Sequence, residues 1–350
     1  MFDPPINGKY THSSGLVDGV VRVSIFVNLP SLLREFGHDP ARIVADVGLD
    51  LSVFDDPDQT IAFVTASHLL KLCVERTGCG YFGLLLGQRG QASDLGLVGE
   101  LMQNSPDVGV ALRNLLLHLH LQDRGAVPTL SVRDGVVALG YAIYQAGVVR
   151  SDQIYDAAIA LGFNILRALC GSHWTPTEIL FSHSKPDDLG PYRRFFRSQL
   201  RFDAEQTAIV FPSKWLERRL PGADPRLRQI LEAHIEALEA AGDGDIVVQL
   251  RRVLRTLLVS GRGSMEQVAQ IFSMHRRTLN RRLRLRRTTF KALLEEMRFE
   301  ISLQLLRDTE LPVVEIAASL DYADASAFTR AFRRWSGTTP AAWRAQRASA

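Results

Sequence analysis

The sequence predicts an α+β N-terminal domain followed by an all-α C-terminal domain, in which a long helix joins two helix-turn-helix units. Three observations support this fold class. Apolar residues alternate between helical and strand-like spacing up to about residue 222, and only helical spacing remains from residue 247 onward. One apolar pattern occurs twice in the last hundred residues. Residues 251–350 contain 19 Lys and Arg against 9 Asp and Glu, a net charge of +10, whereas residues 1–250 contain 22 against 29, a net charge of −7.

The overall composition is that of an ordinary globular protein with room for two or three domains. Of the 350 residues, 46% are hydrophobic and 23% are charged. The first residues do not combine a basic segment with an apolar run, and no stretch approaches the ~20 apolar residues of a membrane helix. We therefore expect a cytoplasmic protein that contacts no membrane.

The three cysteines, Cys73, Cys79 and Cys170, have no metal-ligand spacing. An odd number also argues against a disulfide framework. We expect reduced thiols in or near the core, and a redox switch is the less favoured alternative.

The first part of the chain reads mainly as helices. Residues 1–20 are polar and contain glycine, which predicts a flexible tail. From residue 21 to about 121, apolar residues share a helical face in three segments, and Gly37 provides a C-terminal stop for the first. These faces contain Leu32, Leu33 and Phe36; the segment 65–76; and Val108, Leu112, Leu115 and Leu116 after Ser105-Pro-Asp.

Between residues 129 and 144, apolar residues recur at every second position instead of at helical spacing, which predicts a β-hairpin. Asp134-Gly135 lies between the two alternating segments and favours a tight turn. Residues 152–170 return to a helical pattern. Further strands are predicted at 178–182 and 207–211, with a short helix at 192–196. Residues 21–222 therefore form the predicted α+β domain.

Residues 225–240 predict an amphipathic helix. Leu227, Leu231, His234 and Leu238 follow one another at spacings of 4, 3 and 4 residues. Two interpretations remain open: the helix packs on its own domain, or it pairs with the same helix of a second chain. The glycines in residues 242–245 predict a hinge, so residues 223–246 are assigned to this helix and a linker.

The repeated pattern spans residues 264–283 and 314–333. Its first helix is matched at an offset of 48 residues and its second helix at an offset of 49, so the turn has gained one residue. Matched residues are Val268 with Ile316, Ala269 with Ala317, Phe272 with Leu320, Leu279 with Phe328, and Leu283 with Phe332. Two such units in tandem can read neighbouring stretches of a DNA major groove.

With these motifs, residues 253–344 resemble the DNA-binding domain of the AraC/XylS family of bacterial transcription regulators. The resemblance rests on Val268-Ala269, the segment 277–283, Phe290, the segment 311–318, Phe328-Thr-Arg-Ala-Phe-Arg-Arg-Trp-Ser-Gly337, Thr339-Pro340 and Trp343-Arg344. Most of residues 25–230 is similar to the arabinose-binding-type effector domain of one branch of that family. This second resemblance rests on Gly83-Leu-Leu-Leu-Gly87 and the segments 97–106, 186–196 and 220–225.

The resemblance implies an effector-binding and dimerisation domain at residues 21–222 and a tandem helix-turn-helix DNA-binding domain at residues 247–345. It implies a sequence-specific transcription regulator, an activator controlled by a small molecule. The expected partners are double-stranded DNA, a second copy in a homodimer, the effector and RNA polymerase. An alternative is a constitutive regulator whose N-terminal domain serves only dimerisation or protein interaction.

The first unit is predicted to place helix 265–272, capped by Ser264, across the DNA and a recognition helix from about His275 in the groove. The second unit uses helices 313–320 and 325–335, with Asp324 as N-cap. In the first unit, the family's base-contacting positions correspond to Arg277, Asn280 and Arg281. In the second unit, the predicted base-contacting residues are those on the groove-facing side: Ser326, Thr329, Arg330 and Arg333. Arg276, Arg284, Arg286 and Arg287 are predicted to contact phosphates. Residues 274–289 contain seven arginines and no Asp or Glu.

Two positions depart from the family pattern. Arg287 and Asp321 stand where the family usually has glycines that suit a left-handed, helix-ending backbone. Either the turns differ here or the protein tolerates the strain, which is roughly 1 kcal/mol for Arg and less for Asp.

The two units are predicted to be joined by a rigid helix. Phe290, Leu294, Met297, Ile301 and Leu305 form one apolar stripe at spacings of 4, 3, 4 and 4 residues. Such a connector would hold the recognition helices about one DNA turn, or ~34 Å, apart.

No enzymatic motif is found in the N-terminal domain. A phosphate-binding loop, a dinucleotide-binding glycine pattern, a catalytic triad and a His-Glu-x-x-His motif are all missing from the sequence. His118 and His120 would diverge on a helix and could not share a metal. We therefore expect neither catalytic residues, nor a metal, nor a cofactor. Candidate effector contacts are Tyr141, Tyr144, Arg150, Tyr155 and Arg167, although ordinary core or surface roles explain each, so the effector-binding residues are left unassigned.

Overall fold

The computed structural model describes residues 19–143, 145, 147–241, 246–259, 264–271, 276–308 and 311–348. The chain divides into two compact units, Val17–Ala241 and Gly242–Ala350, called here the N-terminal and C-terminal units. The first mixes helices and strands and the second contains helices only among its described residues, so the predicted fold class is confirmed. No helix in the described ranges is long and apolar enough to cross a membrane.

The N-terminal unit contains a small and a larger sheet among nine helices of its described part. Its strands are β1 (Val20–Arg22), β2 (Thr60–Ala62), β3 (Ala126–Arg133), β4 (Val136–Ile143), β5 (Glu178–Leu180), β6 (Gln199–Arg201) and β7 (Ala208–Pro212). Its helices are α1 (Leu29–Glu35), α2 (Pro40–Ala45), α3 (Phe63–Thr77), α4 (Phe82–Gln88), α5 (Gly96–Gln103), α6 (Val108–His118), α7 (Ser151–Cys170), α8 (Gly190–Phe196) and α9 (Pro225–Ala241).

The larger sheet has the strand order β3-β4-β7-β5-β6, in which only the β5–β6 pair is parallel. The predicted hairpin is confirmed: Arg133 pairs with Val136, and Asp134 and Gly135 both have positive φ values, of 49° and 75°. Strands β1, β2 and β6 were not predicted. Each has three residues, which is too short for an alternating pattern to stand out. Val20 lies in β1, so the predicted tail of residues 1–20 is wrong at its last residue. Residues 1–18 lie outside the described part.

Glycines let α4 pack unusually close to α7. A Cβ on Gly83 would lie 2.1 Å from the carbonyl oxygen of Gln153, and one on Gly87 would lie 2.3 Å from that of Ala157. Both distances are far shorter than real Cβ atoms show, so only glycine fits at these positions. The Gln153 side chain accepts a hydrogen bond from the Gly83 N–H and donates one to the Gly80 carbonyl. The long helix α7 is thereby fixed against the N-terminal helices.

The core of the N-terminal unit lies between α7 and the larger sheet. Aromatic rings fill it, with Phe163 packing against Trp174 and Phe196 at ring distances of 5.6 and 5.4 Å. A second cluster joins the helices that precede β3. All three cysteines are buried free thiols.

Helix α9 packs on its own unit. Leu231 and Ile235 are buried against Leu101 of α5. Leu227 and Leu238 are each 38% exposed and Ile230 is 65% exposed. The predicted stripe is therefore divided: Leu231 belongs to intramolecular packing, and the remaining apolar residues face outward.

The C-terminal unit contains seven helices in its described part. They are α10 (Ile246–Val259), α11 (Met265–Ile271), α12 (Arg276–Leu285), α13 (Phe290–Asp308), α14 (Val313–Ser319), α15 (Ala325–Ser336) and α16 (Pro340–Ala348). Helices α11 and α12 form the first predicted helix-turn-helix unit, and α14 and α15 form the second. Phe272 and His275, named in the prediction, lie outside the described residues.

The long helix α13 is buried on several sides, and the predicted single stripe is wrong in part. Leu294 and Leu305 are only half-buried, whereas Leu293, Phe299 and Leu303 are at most 8% exposed. The reason is that α13 lies against α10, α15 and α16 at once. Phe299, for example, packs on Trp335 of α15 with a ring distance of 5.5 Å.

Candidate functional site

The first helix-turn-helix unit begins with a reciprocal cap. The Ser264 hydroxyl accepts a hydrogen bond from the Gln267 N–H, and the Gln267 side chain accepts one from the Ser264 N–H, both at 3.2 Å. Val268 and Ala269 of α11 are buried, and small Ala269 permits close approach of α12. The predicted cap is confirmed.

Helix α12 buries one side and exposes the other. Leu279 and Leu283, four residues apart, are completely buried. This fixes the opposite side, which is exposed apart from the half-buried Asn280. The predicted DNA-contacting residues on and after this helix are Arg276, Arg277, Asn280, Arg281, Arg284, Arg286 and Arg287. They form a basic face that we call the α12 face.

The second unit repeats this arrangement. Asp324 Oδ1 accepts a hydrogen bond from the Ala327 N–H at 2.6 Å, which confirms the predicted N-cap of α15. Phe328, Phe332 and Trp335 are completely buried. The side chains left on the outer side are Ser326, Thr329, Arg330 and Arg333, of which Thr329 is half-buried and the others are exposed. We call these the α15 face.

The two non-glycine residues at family glycine positions do adopt left-handed backbone. Arg287 has φ 56° and Asp321 has φ 59°. Each closes its helix with the same hydrogen bonds: the Arg287 N–H donates to Arg284 O at 2.9 Å, and the Asp321 N–H donates to Ala318 O at 3.1 Å. Both turns therefore adopt left-handed backbone without glycine, and the protein tolerates the strain.

Ion pairs attach α13 to its neighbours. Arg251 of α10 donates to both carboxylate oxygens of Glu296, at 2.8 and 2.9 Å. Arg298 lies 3.4 Å from the Asp321 carboxylate and 4.9 Å from the centre of the Tyr322 ring. Charged contacts near the middle of the helix, at Glu296 and Arg298, thus supplement its apolar packing.

One predicted phosphate contact has an acidic neighbour. Arg276 Nη1 lies 2.8 Å from Glu266 Oε1 of α11. Residues 274–289 contain no acidic residue, but this arginine pairs with a carboxylate from the preceding helix. Both side chains are more than half exposed, and solvent keeps such pairs weak.

Sequence reasoning also omitted Arg282 and Arg334, which are exposed on α12 and α15. A full helical projection of both segments would have included them.

The N-terminal unit contains a cavity of about 120 Å³ between its helices and the larger sheet, partly open to solvent. Helices α3, α4, α6 and α7 contribute apolar walls, and β4 contributes Leu139 and Gly140. Asp123 and Tyr141 supply the polar wall, and the Tyr141 hydroxyl donates a hydrogen bond to Asp123 Oδ2.

Of the five candidate effector contacts, only Tyr141 lines this cavity. Tyr155 packs edge-on against Tyr141 at 6.4 Å, behind the cavity wall. Arg150 pairs with Asp152 and Arg167 is exposed, while Tyr144 lies outside the described residues. The apolar wall residues carry no sequence signal that separates them from ordinary core.

The expectation that His118 and His120 diverge is wrong. Helix α6 ends at His118, and a 3-10 turn over Leu119–Leu121 brings the two rings to within 6.5 Å. His118 Nδ1 lies 2.8 Å from Glu239 Oε1, and His120 Nε2 lies 3.5 Å from the same atom. Within the described ranges, no group of three or more His, Cys, Asp or Glu residues could hold a metal ion.

Comparison with known proteins supports both units. Residues 37–220 match the arabinose-binding domain found at the N-terminus of AraC transcription regulators, and residues 268–346 match a helix-turn-helix domain. The ornithine utilization regulator of Pseudomonas aeruginosa is 27% identical over 328 residues, covering 93% of this chain and 96% of that protein. The transcriptional regulator VirS of Mycobacterium tuberculosis is 24% identical over the same length and coverage.

The crystal structure of the regulator CdpR from Pseudomonas aeruginosa, 22% identical, aligns with a TM-score of 0.42 over 88% of this chain and 98% of that one. The N-terminal match alone spans more than half of the 350 residues. With the helix-turn-helix match in the C-terminal unit, the protein belongs to the AraC family and is a helix-turn-helix transcriptional regulator.

Proposed function

We propose that the protein regulates transcription by inserting α12 and α15 into neighbouring stretches of the DNA major groove, under the control of a small molecule bound by the N-terminal unit. One observation carries the proposal: each recognition helix buries apolar residues four apart and turns a basic face to solvent. A face that is basic in both repeats suits a polyanion, because cationic side chains displace the counterions condensed on DNA phosphates.

The α12 face is proposed to carry most of the base recognition. Arg277 and Arg281 can each donate two hydrogen bonds to guanine O6 and N7, and Asn280 can pair with adenine N6 and N7. Arg276, Arg284, Arg286 and Arg287 are proposed to contact phosphates, which take most hydrogen bonds in protein–DNA interfaces. Arg286 and Arg287 follow the helix, where the chain would leave the groove and pass the sugar-phosphate backbone.

The α15 face is proposed to read fewer bases. Arg330 and Arg333 are its strong hydrogen-bond donors, while Ser326 and Thr329 have short side chains. A short hydroxyl side chain can hydrogen-bond to more than one kind of base, and the methyl group of a threonine can contact a thymine methyl. This second unit would contribute affinity and register more than discrimination.

Helix α13 is proposed to fix the spacing of the two recognition helices at about one DNA turn, ~34 Å. Its burial among α10, α15 and α16, with the Arg251–Glu296 and Arg298–Asp321 pairs, supports a rigid connector. A rigid connector makes half-site spacing part of the specificity.

We further propose an activator that works in the cytoplasm as a homodimer and contacts RNA polymerase. The outward apolar residues of α9, with Ile230 at their centre, support a contact with the same helix of a second copy. The relatives are themselves named as regulators, which supports action on promoters.

The test is genomic footprinting with the full-length protein, followed by titration of a recovered fragment in the presence and absence of cell metabolites. We expect enrichment of sites with two half-sites about 10 bp apart. Arg281→Ala should reduce this enrichment and relax the preference at one base pair, while Arg133→Ala, which removes an exposed arginine from the β3–β4 hairpin, should retain both. Binding without sequence preference, or equal loss in both variants, would contradict specific recognition.

A further inference from the structure

We propose that the cavity of the N-terminal unit binds an uncharged, mainly apolar molecule about the size of one substituted ring. This inference rests on the proposed control by a small molecule and names the class of that molecule. It departs from a sugar, which the name of the matching domain would suggest.

The walls of the cavity are apolar. Leu115, Leu139 and Ile209 are each at most 8% exposed and lie on three different elements around the space. Helix α7 adds Ala158 and Gly162, whose small side chains leave the space open. Burying apolar ligand surface against such walls is favourable, at about 25 cal/mol per Å².

Charge restricts the ligand further. Among the described lining residues, Asp123 is the only charged side chain. It is 2% exposed, and its Oδ1 accepts hydrogen bonds from the Gly125 and Ala126 N–H groups at 2.7 and 3.2 Å, which favour the carboxylate. A ligand anion would meet this carboxylate, so anions are disfavoured.

A sugar fits no better. Its several hydroxyl groups each need a partner, because an unpaired buried hydroxyl costs about 1–3 kcal/mol. The described wall offers two polar side chains, Asp123 and Tyr141, which already hydrogen-bond to each other. A ring with one polar substituent incurs this cost at most once.

Size sets the remaining limit. The volume of about 120 Å³ is close to the roughly 150 Å³ of an engineered apolar cavity that holds benzene. A single ring is therefore the group that this volume matches.

The experiment measures binding of benzyl alcohol, benzoate and arabinose to the full-length protein by ligand-observed NMR without DNA. Benzyl alcohol and benzoate share a ring and differ in charge. We expect benzyl alcohol to bind about tenfold or more tightly than benzoate, and arabinose not to compete. Asp123→Asn, which keeps the shape and removes the charge, should reduce the difference between benzyl alcohol and benzoate. Equal binding of the two by the wild type, or competition by arabinose, would overturn the proposal.

Two variants of α7 locate the site. Ala158→Leu fills the cavity and should abolish binding of benzyl alcohol, whereas Ala168→Leu makes the same change at an exposed position and should leave binding intact. Leu115→Ala enlarges the cavity and should gain binding of 1-naphthalenemethanol, a result that unfolding cannot produce. Unchanged binding in Ala158→Leu with no gain in Leu115→Ala would refute this site.

The same ligands separate this inference from the proposed function. Failure of benzyl alcohol to bind would refute the ligand class and leave DNA recognition by α12 and α15 intact. If it binds but the DNA affinity is equal with and without it, the ligand class stands and control of DNA binding by this cavity is refuted.

Discussion

His118 Nδ1 lies 2.8 Å from Glu239 Oε1, which joins the end of α6 to the last turns of α9. Helix α9 is the final element of the N-terminal unit, so this contact helps to fix the position from which the chain continues toward the C-terminal unit. His120 approaches the same carboxylate from the following turn. The end of α9 is thus held by titratable groups, and its docking should depend on pH.

The first prediction concerns acid stability. Burial lowers the pKa of His120 to about 4, although Glu239 opposes this shift. The unfolded chain, with a His pKa near 6.5, then binds more protons than the folded chain between about pH 6.5 and 4. The free energy of unfolding should therefore fall as pH falls through this window, by about 3 kcal/mol. Denaturant unfolding at several pH values measures it.

His120→Gln should flatten this pH dependence. His173→Gln replaces an exposed histidine of the same unit and should leave the slope unchanged. An identical slope in the wild type and His120→Gln would show that other groups cause the acid sensitivity.

The second prediction concerns base recognition. Arg281→Ala should weaken binding to the specific site by about 1–3 kcal/mol and relax the preference at one base pair, because it removes a donor to a base edge. Selection of bound sequences with each variant measures the preference. A loss of the same size on every sequence would move Arg281 to the phosphate contacts.

The third prediction concerns phosphate contact. Arg284→Ala should weaken binding to all DNA sequences about equally, because phosphates carry no sequence information. The slope of log K against log salt should become shallower by about 0.9. Titrations at four salt concentrations give the slope, and an unchanged value would remove Arg284 from the phosphate contacts.

The fourth prediction is that Arg287 has opposite effects on folding stability and on DNA affinity. Its left-handed backbone costs about 1 kcal/mol, so Arg287→Gly should raise the free energy of unfolding by roughly 0.5–1 kcal/mol. The same change removes a proposed phosphate contact and should weaken DNA binding. Thermal unfolding and DNA titration measure the two effects.

Arg286→Gly is the matched control, because Arg286 does not have positive φ. Glycine there should lower stability while also weakening DNA binding. If both variants lost stability, backbone strain at Arg287 would not be the cause.

The fifth prediction concerns assembly. A substitution of Leu231 cannot test dimerisation, because an aspartate there would disrupt packing with Ile235 and Leu101 within one chain. Ile230→Asp, at a 65% exposed position, should convert dimers to monomers in sedimentation velocity without loss of thermal stability. Glu236→Lys, an exposed change on the same helix, should remain dimeric. A dimer that survives Ile230→Asp would exclude this face of α9.

Local pattern was sufficient to predict which side chains of α12 and α15 face outward. Once Leu279 and Leu283 are assigned to the buried side, helical geometry alone dictates which side chains face outward. The same holds for Phe328 and Phe332, and for the caps at Ser264 and Asp324, whose donors lie three residues away. The hairpin turn at Asp134-Gly135 is equally local.

Contacts between distant segments could not be predicted. The convergence of His118 and His120 on Glu239 joins residues about 120 positions apart, and the packing of Gly83 on Gln153 spans 70. The single stripe expected on α13 failed for the same reason, because three other helices surround it.

Sequence alone determined the fold class, the tandem repeat and the outward arginines, because these follow from spacing within one helix or turn. Tertiary structure alone decided which small and apolar side chains enclose the cavity, and which side of α9 is covered. Those properties depend on how separate segments meet in space, where Ala158, Leu115 and Asp123 become neighbours although no local pattern links them.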